Sequence, residues 1–391
     1  MNAAAPIVDL VYFDAGGGHR ASALALKAVI ELQAPSMRVR LVNLREVLDP
    51  KANFRRLVGI QPEDFYNTRL AHGWTIGLGQ ELKLLQGIVR WAHAPLMRAL
   101  ARHWSATRPA LVVSLIPNFN RALRESLAAA LPGVPYATLM TDLADHPPRF
   151  WIEGDLDQHL ICGSSRAADQ ARAAGIPRSR LHATSGMIIR LAFYELGAAV
   201  RSDERRRLGL EGHPPTGLVL FGGHGSRSMI EIATRLPNTP LILACGHNEA
   251  LARALRALPS RAPRIVLGFV PEIARYMAAA DFFIGKPGPG SLTEAVQMQL
   301  PVIVAANRWT LPQERYNPDW VREQGVGIVI SRFSAVAEAV EVLTRDLDRY
   351  RRATMRIRNR AVFEVPAILC EILRKSAVGS ETSSRRARSL Q

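Results

Sequence analysis

Three cysteines in 391 residues, Cys162, Cys245 and Cys370, are too few and too scattered for a disulfide framework or a metal knot. They suit a reducing compartment, and a cytoplasmic location is expected. No apolar run approaches the roughly 18 residues of a membrane-spanning helix. No basic segment precedes the first apolar run, so a signal peptide is not expected. Zinc-finger spacing is missing, and so is an aromatic-rich stretch of the RNA-binding kind. Acidic residues are in deficit: 34 Asp and Glu against 50 Lys and Arg, a net charge of +16 in which arginine dominates. Such a balance suits nucleic acid, an anionic membrane surface or an anionic small substrate. With no nucleic-acid motif, the membrane and phosphate readings rank first. Part of the excess sits in the tail, where Arg385, Arg386 and Arg388 lie among serines; residues 376–391 are expected to be disordered.

What is present is an alternation of short apolar runs and helical segments, in a chain long enough for two domains. Strands are expected at Ile7–Phe13, Arg38–Leu44, Leu111–Leu115, Tyr136–Met140, Gln158–Cys162 and Leu181–Thr184. A second series reads Gly217–Phe221, Pro240–Cys245, Arg264–Phe269, Phe282–Ile284, Val302–Ala305 and Gly327–Ile330. The fold class is therefore α/β with parallel sheets, divided into domains at 1–195 and 196–375. Residues 54–102 are helical in composition, with Trp74, Trp91 and Trp104 in or beside them. These tryptophans read equally as core or as part of a basic, membrane-facing surface.

Each half opens on a strand, a glycine turn and a helix. In the first, Gly16-Gly17-Gly18-His19-Arg20 follows the strand. Glycine permits close backbone approach, and the helix start offers unpaired N–H groups. His19 titrates near neutrality and suits a general base, though a plain turn with a solvent histidine reads as well. Gly222-Gly223-His224-Gly225-Ser226 repeats the device in the second half. Thr141-Asp142, with His146-Pro147 close behind, lies beyond a strand end, where α/β ligands bind; an Asx turn is the alternative.

The stretch DFFIGKPGPGSLTEAVQMQLP, 281–301, is the most specific. A strand breaks into a Gly/Pro loop and resumes as a helix that Ser291 is expected to open. Ser291 and Glu294 fit a capping box. Glu294 also fits a ribose-binding acid. Residues 307–317 form a loop rich in hydrogen-bonding groups.

Taken in order, GGGHRASA at 16–23, TDL at 141–143, HP at 146–147, GG-x-G at 222–225, GF at 268–269, KPGPGSLTEA at 286–295, LPVIV at 300–304 and QE with a following Asn at 313–317 resemble the monogalactosyldiacylglycerol synthase branch of the GT-B glycosyltransferases, in glycosyltransferase family 28 and related to the MurG type. The resemblance implies two Rossmann-like domains facing a central cleft. It implies inverting, metal-independent transfer of a hexose from a UDP-sugar to a lipid acceptor such as diacylglycerol, with no cofactor, at the inner face of a membrane. By position it implies His19 as base and Asp142 beside the acceptor. Gly17, Gly18, Arg20 and His146 fall on the acceptor side. Gly222, Gly223, Gly225, Gly288, Gly290 and Ser291 fall on the diphosphate, Phe269 beside the base, Glu294 on the ribose, and Gln313 and Glu314 on the donor sugar. The loop reads Leu-Pro-Gln-Glu where plant members read Pro-Gly-Gln-Glu, and His224 replaces an acid. Galactose, glucose and N-acetylglucosamine all remain open. An epimerase of the same fold and a catalytically silent sugar-nucleotide binder are the rival readings.

Overall fold

The computed structural model describes residues 5–14, 18–49, 86–195, 198–308 and 310–388. Its twelve strands are β1 (Ile7–Tyr12), β2 (Arg38–Asn43), β3 (Leu111–Ser114), β4 (Tyr136–Leu139), β5 (His159–Cys162), β6 (Leu181–Ala183), β7 (Gly217–Leu220), β8 (Leu241–Ala244), β9 (Arg264–Leu267), β10 (Phe282–Gly285), β11 (Val302–Ala305) and β12 (Gly327–Ile330). Every expected strand is present, its ends moved by no more than a residue or two. Five of them, β3, β4, β8, β10 and β11, are four-residue runs buried along their whole length, as parallel strands covered on both faces must be.

The strands form two six-stranded sheets, ordered β2-β1-β3-β4-β5-β6 and β12-β11-β10-β7-β8-β9, parallel throughout. Two Rossmann-like sheets of this kind make a GT-B fold. Counted from its own first strand, the second sheet has the doubly wound order 3-2-1-4-5-6, whose switch point lies between β7 and β10. In the first sheet, strand order reverses between β1 and β3. Ligands of such sheets bind beyond the carboxyl ends of the strands at those points.

The first unit comprises the described residues up to 188 together with 360–388, and the second comprises 189–359. The sequence reading divided the chain at 195/196 and kept residues up to 375 with the second half. Physically, the last segment is drawn to the first unit by the helix Ala361–Arg388, whose buried Val362, Val365, Leu369 and Ile372 pack with the helix Gly18–Gln33. The helix runs on through the tail from 376, which was expected to be disordered. Once its first turns are fixed by packing, extension costs little compared with nucleation.

Two buried charges interrupt otherwise apolar strands, and both are neutralised locally. Asp9 on β1 accepts from Arg40 Nε at 2.7 Å and Nη2 at 2.8 Å. Asp281, just before β10, accepts from the Thr216 amide at 2.8 Å, Arg201 at 2.6 Å and Arg205 at 3.1 Å, with Arg351 as a further partner. Some of the arginine excess is therefore structural. Trp104 is fully buried, its indole N–H donating to Ser126 Oγ at 3.0 Å, which settles it as core. Trp91 is 88% exposed. Trp74 lies outside the described residues.

Candidate functional site

In the second unit the decisive feature is where the helix after β10 begins. It spans Pro289–Gln297, with Gly288 as its N-cap and Pro289 at its first position. Ser291 is thus the third helical residue and Glu294 the sixth, and no side chain caps the helix. The capping-box reading of Ser291 and Glu294 is overturned. Proline is preorganised for the first helical position, having no N–H to leave unpaired, and this moves the N-cap three residues upstream, from Ser291 to Gly288. Gly290 and Ser291 lie in the first turn, whose amides have no intrahelical acceptor. Together with the positive end of the helix dipole they favour an anion.

Relieved of capping, Glu294 lies on the helix with 14% of its side chain exposed. Its Oε1 accepts from Arg190 Nη2 at 3.3 Å and Nε at 3.4 Å. Arg190 also donates to the carbonyl of Pro271 at 3.3 Å and lies 4.9 Å over the ring of Phe193. Burial drives the Glu294 pKa up to about 7, and Arg190 only partly opposes that rise. A carboxylate so enclosed, with a pKa near neutrality on the helix that follows a strand at the switch point, is a candidate functional group.

The glycine turn after β7 emerges beside this helix, because Leu220 pairs with Gly285 across the switch point. Gly222 and Gly225 have φ of +74° and +62°, a region that side chains disfavour. A Cβ at Gly222 or Gly223 would meet nothing within 4 Å, so the turn leaves open space above its backbone. Gly246 holds the turn from below: its Cβ would fall 2.0 Å from the Gly223 carbonyl oxygen, and the His247 amide donates to that oxygen at 2.9 Å. Phe269, just past β9, is 58% exposed.

The loop expected to meet the donor sugar does other work as well. Glu314, 5% exposed, pairs with Lys286 Nζ at 2.6 Å, and buried Asn317 donates to the Pro287 carbonyl at 2.6 Å. These two contacts fix the 286–288 loop ahead of the helix. Gln313 lies half-buried in the 3₁₀ turn Pro312–Glu314.

In the first unit, His19 is in the first turn of the helix Gly18–Gln33, beside the switch point. Its Nδ1 lies 3.0 Å from Thr141 Oγ1, and its ring centroid is 6.1 Å from that of Trp151. Burial lowers its pKa to about 4, while a hydrogen bond with the Leu115 backbone favours the protonated form. Asp142 is buried and accepts from the Trp151 indole at 2.8 Å, so its carboxylate positions the ring that packs near His19. Asp145 binds the loop by accepting from the Arg149 and Trp151 amides at 3.0 and 2.6 Å. The His146–Pro147 bond is cis. Arg20 is exposed and pairs with Asp14 at 3.4 Å. Gly18 is exposed at the helix start. Gly16 and Gly17 lie outside the described residues.

The structure therefore brings His19 and Asp142 into one cluster, and Gly222, Gly225, Gly288 and Glu294 to one sheet terminus. Sequence reasoning missed Arg190 and Trp151; Lys286 and Asn317 lay within its motifs but were given no role of their own. In a chain where arginine dominates the basic residues, nothing in the sequence singles out Arg190.

Residues 218–368 match the glycosyltransferase family 28 C-terminal domain. The matched stretch covers most of the second unit and the start of the last helix. Among curated relatives, the chain is 28% identical over 351 residues to monogalactosyldiacylglycerol synthase of Spinacia oleracea, covering 85% of this chain and 65% of that protein. It is 26% identical over 399 residues to monogalactosyldiacylglycerol synthase 1 of Arabidopsis thaliana, covering 94% of this chain and 71% of the relative. Both relatives are chloroplastic. Among solved structures, Acinetobacter baumannii MurG superposes with a TM-score of 0.60 at 12% identity, over 93% of this chain and 99% of that one. Neisseria meningitidis UDP-GlcNAc 2-epimerase, bound to UDP-GlcNAc, reaches 0.59 at 14% identity, over 94% and 100%. At such identities the structural likeness speaks for the fold alone.

Proposed function

We propose that this protein is an inverting, metal-independent glycosyltransferase that moves a hexose from a UDP-sugar to the hydroxyl of a lipid such as diacylglycerol. The observation that carries the reading is Glu294. It is not a capping residue, it is nearly buried at a doubly wound switch point, and its carboxyl is poised near pH 7. A carboxylate there accepts hydrogen bonds from the two ribose hydroxyls. The Gly222–Gly225 turn and the first-turn amides of Gly290 and Ser291 take the diphosphate. As the bond to the anomeric carbon breaks, these preorganised donors stabilise the negative charge that develops on the leaving group. Phe269 lies beside the base, and Gln313 with Glu314 faces the sugar.

In the first unit, His19 takes the acceptor proton. Burial keeps its imidazole neutral at physiological pH, and the Leu115 carbonyl favours the cation that forms. Thr141 fixes the ring, while Asp142 fixes Trp151 beside it. Gly18, Arg20 and His146 line the acceptor side, a role the resemblance also gives to Gly17, outside the described residues.

The relatives' names supply the lipid acceptor class, and the basic balance suits work at the inner, anionic face of a membrane from the cytoplasmic side. Trp91 and Ile88, three residues apart and 88% and 51% exposed, flank Arg90 as interface anchors would. Purified protein incubated with several UDP-sugars and a lipid extract, read by mass spectrometry, names donor and acceptor together. An epimerase, the second reading that the fold likeness favours, forms a new UDP-sugar with no lipid present.

A further inference from the structure

Three rings stand in a row at the carboxyl edge of the second sheet. Leu220, Ala244 and Leu267 pair in register across β7, β8 and β9, so the three strands end level. His224 lies four residues beyond that line, His247 three and Phe269 two. The His224 and His247 ring centroids are 6.0 Å apart, the rings tilted by 49°. The His247 and Phe269 rings are stacked, 4.2 Å apart and within 14° of parallel. All three residues are exposed, and none belongs to the apolar cluster beneath them.

Core packing does not account for this pair. One exposed phenylalanine is ordinary on a protein surface. A phenylalanine held face to face by an exposed imidazole, on the ligand side of a doubly wound sheet, is a prepared surface. The backbone around His247 is fixed as firmly as its ring. Its amide is tied to the Gly223 carbonyl at 2.9 Å, and Asn248 donates through Nδ2 to the His224 carbonyl at 3.3 Å. Asn248 also caps the following helix, its Oδ1 accepting from the Leu251 amide at 3.0 Å. His247 is thus anchored from both sides, and Phe269 leans on it. Stacking fixes one face of the Phe269 ring and leaves the other for a planar ligand.

We propose that His247 is a positioning residue for the nucleobase: its imidazole backs the Phe269 ring and orients it to stack on the base of a nucleoside diphosphate. This rests on the reading that the second unit binds a nucleotide sugar. It goes beyond that reading by assigning a base-recognition role to the β8 turn. Stacked rings of this kind contribute enough to change affinity roughly three- to tenfold.

The test is titration of the full chain with UDP and, separately, with inorganic pyrophosphate, in unaltered protein, His247→Ala, His247→Phe and Phe269→Ala. His247→Ala is expected to weaken UDP binding three- to tenfold and leave pyrophosphate binding unchanged, as is Phe269→Ala. His247→Phe, which keeps a flat ring behind Phe269, is expected to restore UDP binding to within twofold. Equal UDP affinity in His247→Ala and the unaltered protein overturns the proposal. So does parallel weakening of UDP and pyrophosphate, which would mean that the substitution disturbs the phosphate turn. If the unaltered protein binds pyrophosphate and UDP equally, the base platform fails while the anion site stands. If it binds neither, the donor reading falls and takes the platform with it.

Discussion

The Glu294 carboxylate and the Arg190 guanidinium, 104 residues apart in the chain, form an ion pair at 3.3 Å inside the second unit. The pair is long for a charge-assisted bond, which runs nearer 2.7–2.9 Å. That leaves the carboxylate under-compensated for its burial, and its pKa stands at about 7 rather than 4.5.

UDP binding is expected to follow this titration. Ribose hydroxyls need the ionised carboxylate as acceptor, so affinity should fall as pH drops from 8 to 6, with a midpoint near 7. Arg190→Ala removes the group that favours ionisation, which moves the midpoint upward. Glu294→Gln should cost roughly 10- to 100-fold in affinity and flatten the pH dependence. Calorimetric titration at several pH values checks both. A pH-independent affinity in the unaltered protein would exclude Glu294 from the ribose.

The same residue should burden the ligand-free protein. Glu294 binds its proton more tightly folded than unfolded, so its contribution to stability is fully present below pH 4.5 and is lost as pH rises through 7. At pH 8 the loss is on the order of 3 kcal/mol. Glu294→Gln is expected to raise the thermal midpoint at pH 8, to leave it nearly unchanged at pH 4.5, and to need roughly 10- to 100-fold more UDP for the same stabilisation. A stability that UDP repays and mutation relieves is the usual trade at a functional site.

His19→Ala is expected to lower transfer by roughly 10²–10⁴-fold while UDP binding stays intact. With the imidazole pKa at about 4, the acid limb that His19 imposes on turnover at saturating donor should lie well below pH 6.5. For stability the sign is opposite to that of Glu294. A histidine whose folded pKa is depressed stabilises above 6.5, and that contribution is lost as pH falls from 6.5 towards 4.

Asp281→Asn is expected to destabilise the second unit by roughly 3 kcal/mol or more, since it leaves Arg201, Arg205 and Arg351 clustered around a neutral group. Urea unfolding measures this directly. Burial alone would raise the Asp281 pKa, but the Thr216 amide and the three arginines outweigh it and hold it below the usual value. Its contribution is therefore present above pH 3.8 and is lost only as pH falls through that depressed value.

Much of the fold was legible because parallel strands announce themselves. A four-residue run such as VIVA at 302–305, buried on both faces, has few other uses. The helix start after β10 was misread because Ser291 with Glu294 makes a formally correct capping box, while the Gly-Pro pair at 288–289 supplies a better start. Trp91 and Trp104 show the limit of a local reading. One is exposed and the other fully buried, and that outcome depends on a partner, Ser126, 22 residues from Trp104. Pairings such as Arg190 with Glu294, or Lys286 with Glu314, are products of the tertiary fold and have no signature in spacing.

The close approach of Gly246 to Gly223 has a thermodynamic side. With a carbonyl oxygen only 2.0 Å from where a Cβ would lie, no side chain fits at 246, and the turns after β7 and β8 interlock backbone to backbone. Such a surface does little adapting when a ligand arrives. The ordering cost that a mobile loop would meet on each binding event has already been met during folding. On the proposed reading, a nucleotide whose phosphates lie on the first of these turns loses little affinity to rearrangement there.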